Sequence, residues 1–187
     1  MNKNTLVVNL FGSPGSGKSS GAAYIFFQLK RAGIDCELVT EYAKDKCWEH
    51  SCIFDDSTNQ FYIGAKQYYR VNRVNNKVDI VVTDSPVLLS CFYNSVKELG
   101  NEYNIVVKRL FNRFRNLNFY INRSKPYNPN GRNQTEEESN KIASKMKKII
   151  KEWGIEFTEV NGNDDGYNKI LEIIKERFNN EEKIVVD

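Results

Sequence analysis

The chain has 187 residues, with 27 Lys and Arg against 24 Asp and Glu and a formal net charge of +3 at pH 7. This length fits one domain over residues 1–187, and the weak charge argues against a dedicated nucleic-acid-binding surface. No apolar run approaches the length of a membrane span, and no secretion signal precedes the first predicted strand. We therefore expect a cytoplasmic protein.

Four cysteines are present, and we expect all of them to be reduced thiols. Cys47 and Cys52 flank His50, but their spacing matches no established zinc pattern. Cys36 and Cys91 stand apart in the chain. The cysteines therefore predict neither a disulfide framework nor a zinc site.

The first predicted elements are a buried strand near 5–11 and a helix near 18–32, which Ala32 and Gly33 close. The loop at 12–19 reads GSPGSGKS and fits G-x-x-x-x-G-K-[ST], the phosphate-binding loop of nucleoside-triphosphate enzymes. Glycines in such a loop let backbone amides approach a polyphosphate, and the helix presents its positive end to the same anion.

This motif predicts the cofactors ATP and Mg²⁺. We expect Lys18 to lie near the β- and γ-phosphates and the Ser19 hydroxyl to bind the metal ion. The residues expected to contact the nucleotide are Gly12, Ser13, Gly15, Ser16, Gly17, Lys18, Ser19 and Ser20.

A second strand is predicted near 36–40 and a helix near 41–50, with Glu41 at their junction. The carboxyl ends of parallel strands meet at one edge of a sheet, so Glu41 is expected to face the same cleft as the phosphate loop. There its carboxylate can orient or deprotonate an acceptor hydroxyl. The alternative is a favourable charge at the start of a helix.

The helix predicted near 59–76 is unusually aromatic and carries Gln60 and Gln67, two turns apart on one face. Flat rings and an amide can hold a planar base. The alternative is a core face of aromatic residues with solvated glutamines. The candidate substrate-binding residues are Glu41, Tyr42, Phe61 and Gln67.

A third strand is predicted near 78–83 and runs into Asp84. An acid after an apolar strand is the usual second half of a magnesium–nucleotide site, where it holds the metal or accepts a proton. The alternative is that Asp84 caps a helix entered through Ser85 and Pro86.

The next predicted helix spans residues 92–115 and carries a basic cluster of Arg109, Arg113 and Arg115. Such a cluster can contact nucleic acid, including a 5′ end, but a solvated helix face is the favoured interpretation.

A fourth strand near 117–122 leads into a loop at 123–135 that contains two prolines and a glycine. Arg123, Lys125 and Arg132 make this loop cationic, which suits a lid over a transferring phosphoryl group. A plain exposed loop is the alternative.

The remaining predicted elements are a helix near 135–153 with Thr135 as its N-cap, a strand near 156–160 and a helix near 165–179. Strands and helices thus alternate along the whole chain. This order predicts an α/β, three-layer P-loop NTPase fold: a five-stranded parallel sheet with helices on both faces and a lid loop.

The chain resembles P-loop kinases of the nucleoside and nucleotide group. Within that group it is most similar to the ribosylnicotinamide-kinase domain of the bacterial NAD-biosynthesis regulator and to related AAA-labelled ATPases often found in phages. The resemblance covers nearly the whole chain. Its matching segments are 12–19, 40–43, Gln67, 83–86, 131–132 and 153–162.

Deoxynucleoside kinases are also similar. They place a Glu at the end of the second strand, and by this resemblance Glu41 acts as a base towards a sugar hydroxyl. They usually have Arg after the third-strand acid, where this chain has Ser85. The identity of the acceptor therefore stays open. The choice between ATP and GTP as donor and a homodimeric state are open as well.

The sequence as a whole predicts an ATP- and Mg²⁺-dependent phosphotransferase acting on a nucleoside, a nucleotide or a related small molecule. The alternatives are a nucleic-acid-associated NTPase or polynucleotide 5′-kinase, and a nucleotide-binding regulator without turnover. The residues assigned to catalysis are Lys18, Glu41, Asp84, Arg123 and Arg132, and those assigned to the metal are Ser19 and Asp84.

Overall fold

The computed structural model describes residues 3–94, 96–130 and 135–184. Five strands in this part of the chain form one parallel sheet in the order β2-β3-β1-β4-β5. The strands are β1 Leu6–Phe11, β2 Cys36–Val39, β3 Ile80–Thr83, β4 Arg115–Asn122 and β5 Thr158–Asn161. The α-helices are α1 Lys18–Arg31, α2 Tyr42–Trp48, α3 Gln60–Asn72, α4 Val96–Phe111, α5 Glu136–Glu152 and α6 Asp164–Ile184.

Apolar side chains on both faces of the sheet produce a three-layer structure. Successive residues of a strand point to opposite faces, so Leu6 and Val8 pack with α1 and α6, whereas Val7 and Phe11 pack with α3, α4 and α5. All six residues of β1 are buried because helices cover both faces. The predicted α/β P-loop NTPase architecture is confirmed.

The predicted helix over 92–115 is wrong at both ends. Residues Val87–Phe92 form a 3₁₀ helix, and Gly100, with φ 67°, interrupts the helical geometry of α4. At the other end Arg115 pairs with Leu6, so β4 extends along the whole of β1. Pairing with a buried central strand decided this boundary, which local propensity could not.

The basic cluster expected on one helix face is also corrected. Arg109 lies in α4, whereas Arg113 follows the helix and Arg115 opens β4. The Arg113 guanidinium donates to the Tyr68 hydroxyl at 3.1 Å, and that of Arg115 donates to the carbonyl of Asn4 at 3.0 Å. The three guanidinium groups therefore belong to different elements.

The segment between α2 and α3 contains two short 3₁₀ helices, Cys52–Phe54 and Ser57–Asn59, that the sequence did not predict. Ser51 and Asp56 cap them through their side-chain oxygens. The predicted capping of α5 by Thr135 is confirmed, with a reciprocal bond from the Thr135 N–H to Glu138.

The four cysteines are free thiols, and the described residues contain no group of three side chains that could hold a metal through His, Cys, Asp or Glu. Within the same ranges, none of the helices has the length and hydropathy of a membrane span.

Candidate active site

The loop between β1 and α1 has the backbone conformation of a phosphate-binding loop. Gly12, Gly15 and Gly17 have φ of 147°, 78° and 99°, a region that residues with a Cβ rarely adopt. A Cβ on Gly12 would lie 2.5 Å from Ser16 Oγ and 2.7 Å from the carbonyl oxygen of Ile121. The sequence motif therefore encodes this loop through its glycines.

Lys18 and Ser19 form the first turn of α1, directly after the loop. The Lys18 ammonium donates to the carbonyl oxygens of Gly12 and Ser13 at 2.8 and 2.9 Å, so it spans the loop. No acidic side chain lies in this first turn, and the positive helix end adds to the charge of Lys18. The arrangement creates an anion-binding site.

Asp84 follows β3, the neighbour of β1 in the sheet. Its side chain is only 3% exposed, and its Oδ1 atom has no hydrogen-bond partner within the described ranges. Thr83 rather than Asp84 stabilises the following turn, because the Ser85 N–H donates to Thr83 Oγ1 at 3.2 Å. The observed hydrogen bonds thus do not support the capping alternative for Asp84.

Ser19 and Asp84 carry oxygens of the kind that bind magnesium; Ser19 lines the cavity beside the loop, and Asp84 directly precedes Ser85, which lines it as well. Mg²⁺ prefers oxygen ligands, and such sites usually combine one or two protein oxygens with phosphate and water. Ser19 supplies a hydroxyl at the loop, and Asp84 supplies a buried carboxylate oxygen that lacks a partner in the described structure. An unpartnered buried oxygen carries a desolvation cost that a bound cation would relieve.

A cavity of about 440 Å³ opens beside the phosphate loop. This volume is that of a small-molecule site. One side of the cavity is lined by the loop and the start of α1, and the residues there are Pro14, Gly15, Gly17, Lys18, Ser19 and Ser20. Gly12, Ser13 and Ser16 lie outside this lining, where Gly12 and Ser13 hold the Lys18 ammonium instead.

The opposite wall comes from α2, the 3₁₀ segment, α3 and the turn after β3. It combines carboxylate, amide, hydroxyl and apolar groups, as a site for a polar small molecule does. Its residues are Glu41, Ala43, Lys44, Cys47, Ile53, Phe54, Asp56, Ser57, Gln60, Ile63, Gly64, Gln67, Ser85, Pro86, Val87, Leu89, Ser90 and Tyr93.

Glu41 lies on this wall, at the N-cap position of α2, and its side chain makes no capping hydrogen bond. Its charge acts on two neighbours. Burial, together with the negative charge of Glu41, raises the pKa of the Cys47 thiol and of the Tyr93 phenol. Glu41 thus lies in the cavity lining together with both of these residues, and its role towards an acceptor hydroxyl stays a prediction.

Gln60 and Gln67 both line the cavity, which confirms that they share a face. Gln67 is 4% exposed, and its amide binds the backbone: Oε1 accepts from the Tyr42 N–H at 2.9 Å, and Nε2 donates to the Thr40 carbonyl at 3.4 Å. The side chain thus holds the backbone on both sides of Glu41.

Tyr42 and Phe61 are not among the residues that line the cavity, and their assignment as substrate-binding residues stays a prediction. The Tyr42 ring is buried against Tyr62, at 5.9 Å between centroids, because α2 packs its first turn onto α3. Phe61 points outwards and is 60% exposed, with its ring against Tyr103. Helix rotation, which aromatic content alone does not fix, places Phe61 off the inner face.

The predicted lid begins at Arg123, whose guanidinium contacts α5. It donates to Asn140, pairs with Glu136 at 3.3 Å and lies 5.4 Å from the centre of the Tyr127 ring. Burial raises the pKa of Tyr93 on the cavity wall, and the Tyr127 phenol is within electrostatic range of it, so this loop comes near that wall. Arg132 lies outside the described residues.

A family model described as AAA domain matches residues 7–165, from the first strand to the start of the last helix. The chain belongs to this AAA domain family. No curated protein matches the chain.

Solved structures share the fold of this AAA domain. A crystal structure of NadR protein in complex with NAD and AMP-PNP superposes with a TM-score of 0.66 and 18% identity over 92% of this chain. A second NadR structure, in complex with NR, gives 0.64 and 19% over the same share. The chain spans about half the length of these proteins, 49% and 51%. At identities this low, the superpositions show a common fold. The predicted resemblance is confirmed at the level of the fold.

The cavity of the AAA domain includes residues that sequence analysis missed. Four of them lie in the short helix α2 or in and beside the 3₁₀ helices, and they are Lys44, Asp56, Ser57 and Tyr93. The Asx-type cap at Asp56 is a local signal that could have predicted a turn there. Nothing in the local pattern indicates that this turn closes a cavity wall.

Proposed function

We propose that this AAA domain is an ATP- and Mg²⁺-dependent phosphotransferase acting on a nucleoside, a nucleotide or a related small molecule. The observation that carries the proposal is the continuous cavity of about 440 Å³, which has Lys18 and Ser19 at one wall and Glu41 at the other. Phosphoryl transfer requires a donor phosphate and an acceptor hydroxyl held in line, and a single cavity lined by both groups of residues supports a site of that kind.

The donor side acts by charge and alignment. The loop amides and the Lys18 ammonium bind the β- and γ-phosphates, with the N-terminus of α1 as a further positive pole. Ser19 and Asp84 would hold Mg²⁺, which would supply positive charge to neutralise the phosphates. No covalent intermediate on the protein is needed, because catalysis of this reaction is mostly positioning and electrostatic stabilisation.

The acceptor side orients one hydroxyl. Glu41 accepts a hydrogen bond from the acceptor hydroxyl and takes its proton as the new O–P bond forms and the bond between the γ-phosphorus and the bridging oxygen breaks, with ADP as the leaving group. Gln67 keeps Glu41 in place through the backbone of Thr40 and Tyr42. Arg123 and Arg132 of the lid, the latter outside the described residues, supply positive charge to the transferring group.

The small acceptor is favoured over nucleic acid by the site itself. A polynucleotide needs a cationic groove along several phosphates. The three arginines expected to form a basic helix face belong to three different places in the fold. The cavity as a whole, in contrast, has the size and mixed lining of a small-molecule site.

The test is a transfer assay with γ-labelled ATP and Mg²⁺ against nucleosides, nucleoside monophosphates and NR, which is bound by one of the NadR structures. A single-stranded oligonucleotide with a 5′ hydroxyl is the comparison acceptor, and labelled GTP is the comparison donor. We expect label on a small acceptor. Label on the oligonucleotide alone supports the polynucleotide 5′-kinase, and ATP binding without any labelled product contradicts the proposal.

A further inference from the structure

Two hydroxyl groups from outside the cavity wall hold the phosphate loop from behind. Ser139 Oγ donates to the carbonyl oxygen of Pro14 at 2.7 Å, and the Tyr167 hydroxyl donates to the carbonyl oxygen of Gly17 at 2.9 Å. Both donors are buried, Ser139 completely. Burial raises the pKa of Tyr167, so its hydroxyl keeps the proton that it donates.

These two bonds fix the direction of two peptide groups. In a trans peptide the C=O and the following N–H point in opposite directions within one plane. A carbonyl of Pro14 held towards Ser139 therefore turns the Gly15 N–H away from Ser139. The Gly17 carbonyl accepts two hydrogen bonds at 2.9 Å, the first helical bond of α1 from the Gly21 N–H and the bond from the Tyr167 hydroxyl, and together they hold the peptide that carries the Lys18 N–H. Gly15 and Lys18 both line the cavity, so these are donors that a polyphosphate meets.

The packing behind the loop is close. The Tyr167 ring lies so near α1 that a Cβ on Gly21 would be 2.6 Å from its Cε1 atom. A Cβ on Gly17 would be 2.6 Å from the hydroxyl oxygen, and one on Gly162 would be 2.2 Å from the carbonyl oxygen of Ser16. Glycines therefore shape the rear of the loop as well as its front.

Both hydroxyls stand on well-anchored helix starts on opposite faces of the sheet. Ser139 belongs to the first turns of α5, which the Thr135 capping box and the Arg123 contacts fix. Tyr167 belongs to the first turn of α6, where its N–H donates to the carbonyl of Asn163 at 3.0 Å. Anchored supports of this kind preorganise a binding site without touching the ligand.

We propose that Ser139 and Tyr167 are positioning residues that aim the Gly15 and Lys18 amides at the bound polyphosphate. This inference rests on the proposed nucleotide site. It concerns the order of the phosphate loop before binding, because a loop that must rearrange when the polyphosphate binds costs free energy and lowers the affinity.

The test compares Ser139→Ala and Tyr167→Phe with the native chain by calorimetry, using ATP and inorganic tripolyphosphate, each with Mg²⁺. Each variant removes one hydroxyl and keeps the rest of the side chain. The matched controls are Ser144→Ala, whose hydroxyl is exposed on α5 and bonds its own helix, and Tyr24→Phe, whose exposed hydroxyl donates to Asn168. All measurements are made below the unfolding temperature of each variant.

We expect Ser139→Ala and Tyr167→Phe each to lower the affinity for ATP and for tripolyphosphate by about three- to tenfold, the effect of one lost hydrogen bond. The controls should match the native affinity. Equal affinities in all folded variants, even with lowered melting temperatures, would show that the two hydroxyls only stabilise the fold and would overturn the inference. If Ser139→Ala does not fold, Tyr167→Phe, which retains the ring, decides the matter. Failure of the native chain to bind ATP would instead refute the proposed function.

Discussion

The side-chain oxygen of Gln67 lies 2.9 Å from the backbone nitrogen of Tyr42, and its amide nitrogen lies 3.4 Å from the carbonyl oxygen of Thr40. One amide from α3 thus binds the backbone on either side of Glu41, the residue that directly precedes α2. The contact gives Gln67 a role in holding the proposed base. It also explains why a polar side chain is buried on the inner face of α3.

Replacing Gln67 by Met should lower the free energy of unfolding by about 1–3 kcal/mol, because the buried Tyr42 N–H loses its acceptor. ATP affinity should stay near the native value, since the phosphate loop lies across the cavity. Urea unfolding and calorimetry measure the two quantities. Gln60→Met, two turns away on the same wall, is the control and should change stability by no more than about 0.5 kcal/mol. Equal destabilisation by both variants would contradict the role of the Gln67 amide in holding the backbone on both sides of Glu41.

Lys18→Ala should reduce phosphoryl transfer by at least about a hundredfold, because the variant loses the charge that spans the phosphate loop. The fold should survive, because the Lys18 ammonium is not part of the hydrophobic core. Circular dichroism and thermal unfolding check this. Lys30→Ala, at the other end of α1 and partly exposed beside Glu37, is the matched control. Near-native turnover in Lys18→Ala would refute its assigned role.

Glu41→Gln should spare ATP binding and slow transfer by about a hundredfold or more, the usual contribution of a general base. The amide keeps the size of the side chain and removes its basicity. Single-turnover rates with the acceptor found in the screen measure the step directly. Glu37→Gln, on the partly exposed β2, serves for comparison. Unchanged transfer would leave Glu41 with only a structural role at the start of α2.

Asp84→Asn should remove most of the gain in ATP affinity that Mg²⁺ provides, because an amide oxygen is a weaker magnesium ligand than a carboxylate. Calorimetric titrations with Mg²⁺ and with EDTA give that gain for each variant. Asp79→Asn, just before β3 and paired with Lys3, controls for the loss of a negative charge. A full magnesium effect in Asp84→Asn would exclude Asp84 from the metal site.

The thiol of Cys47 should report the position of Glu41 without any assay of activity. Burial and the charge of Glu41 raise the pKa of Cys47, and only the thiolate reacts with iodoacetamide. In a Cys52→Ser background, alkylation should therefore rise with pH around a midpoint above that of an ordinary thiol. Cys36 and Cys91 are buried, and burial raises their pKa to about 11 and about 12, so both stay largely protonated.

Adding Glu41→Gln to that background should move the midpoint of Cys47 alkylation to lower pH. Removing a nearby negative charge makes the thiolate easier to form. Mass spectrometry of the modified peptide follows the reaction at Cys47 alone. A midpoint that does not move would place the Glu41 carboxylate away from Cys47.

The sequence by itself determined the phosphate loop and the layered fold. The motif is local: its glycines, Lys18 and Ser19 lie close together in the chain, and the positive φ angles of the glycines follow from residues within the loop. The alternation of strands and helices also follows from short-range apolar patterns. The placement of Glu41 and Asp84 followed next, because parallel strands end at one edge.

The tertiary structure alone decided which side chains face the cavity and which support it. Gln67 meets Tyr42 across 25 residues, Ser139 meets Pro14 across 125, and Tyr167 meets Gly17 across 150. The orientation of α3 exposes Phe61 to solvent, and pairing with β1 places Arg115 in strand β4. Such outcomes depend on packing between elements distant in the chain, which no local pattern of residues encodes.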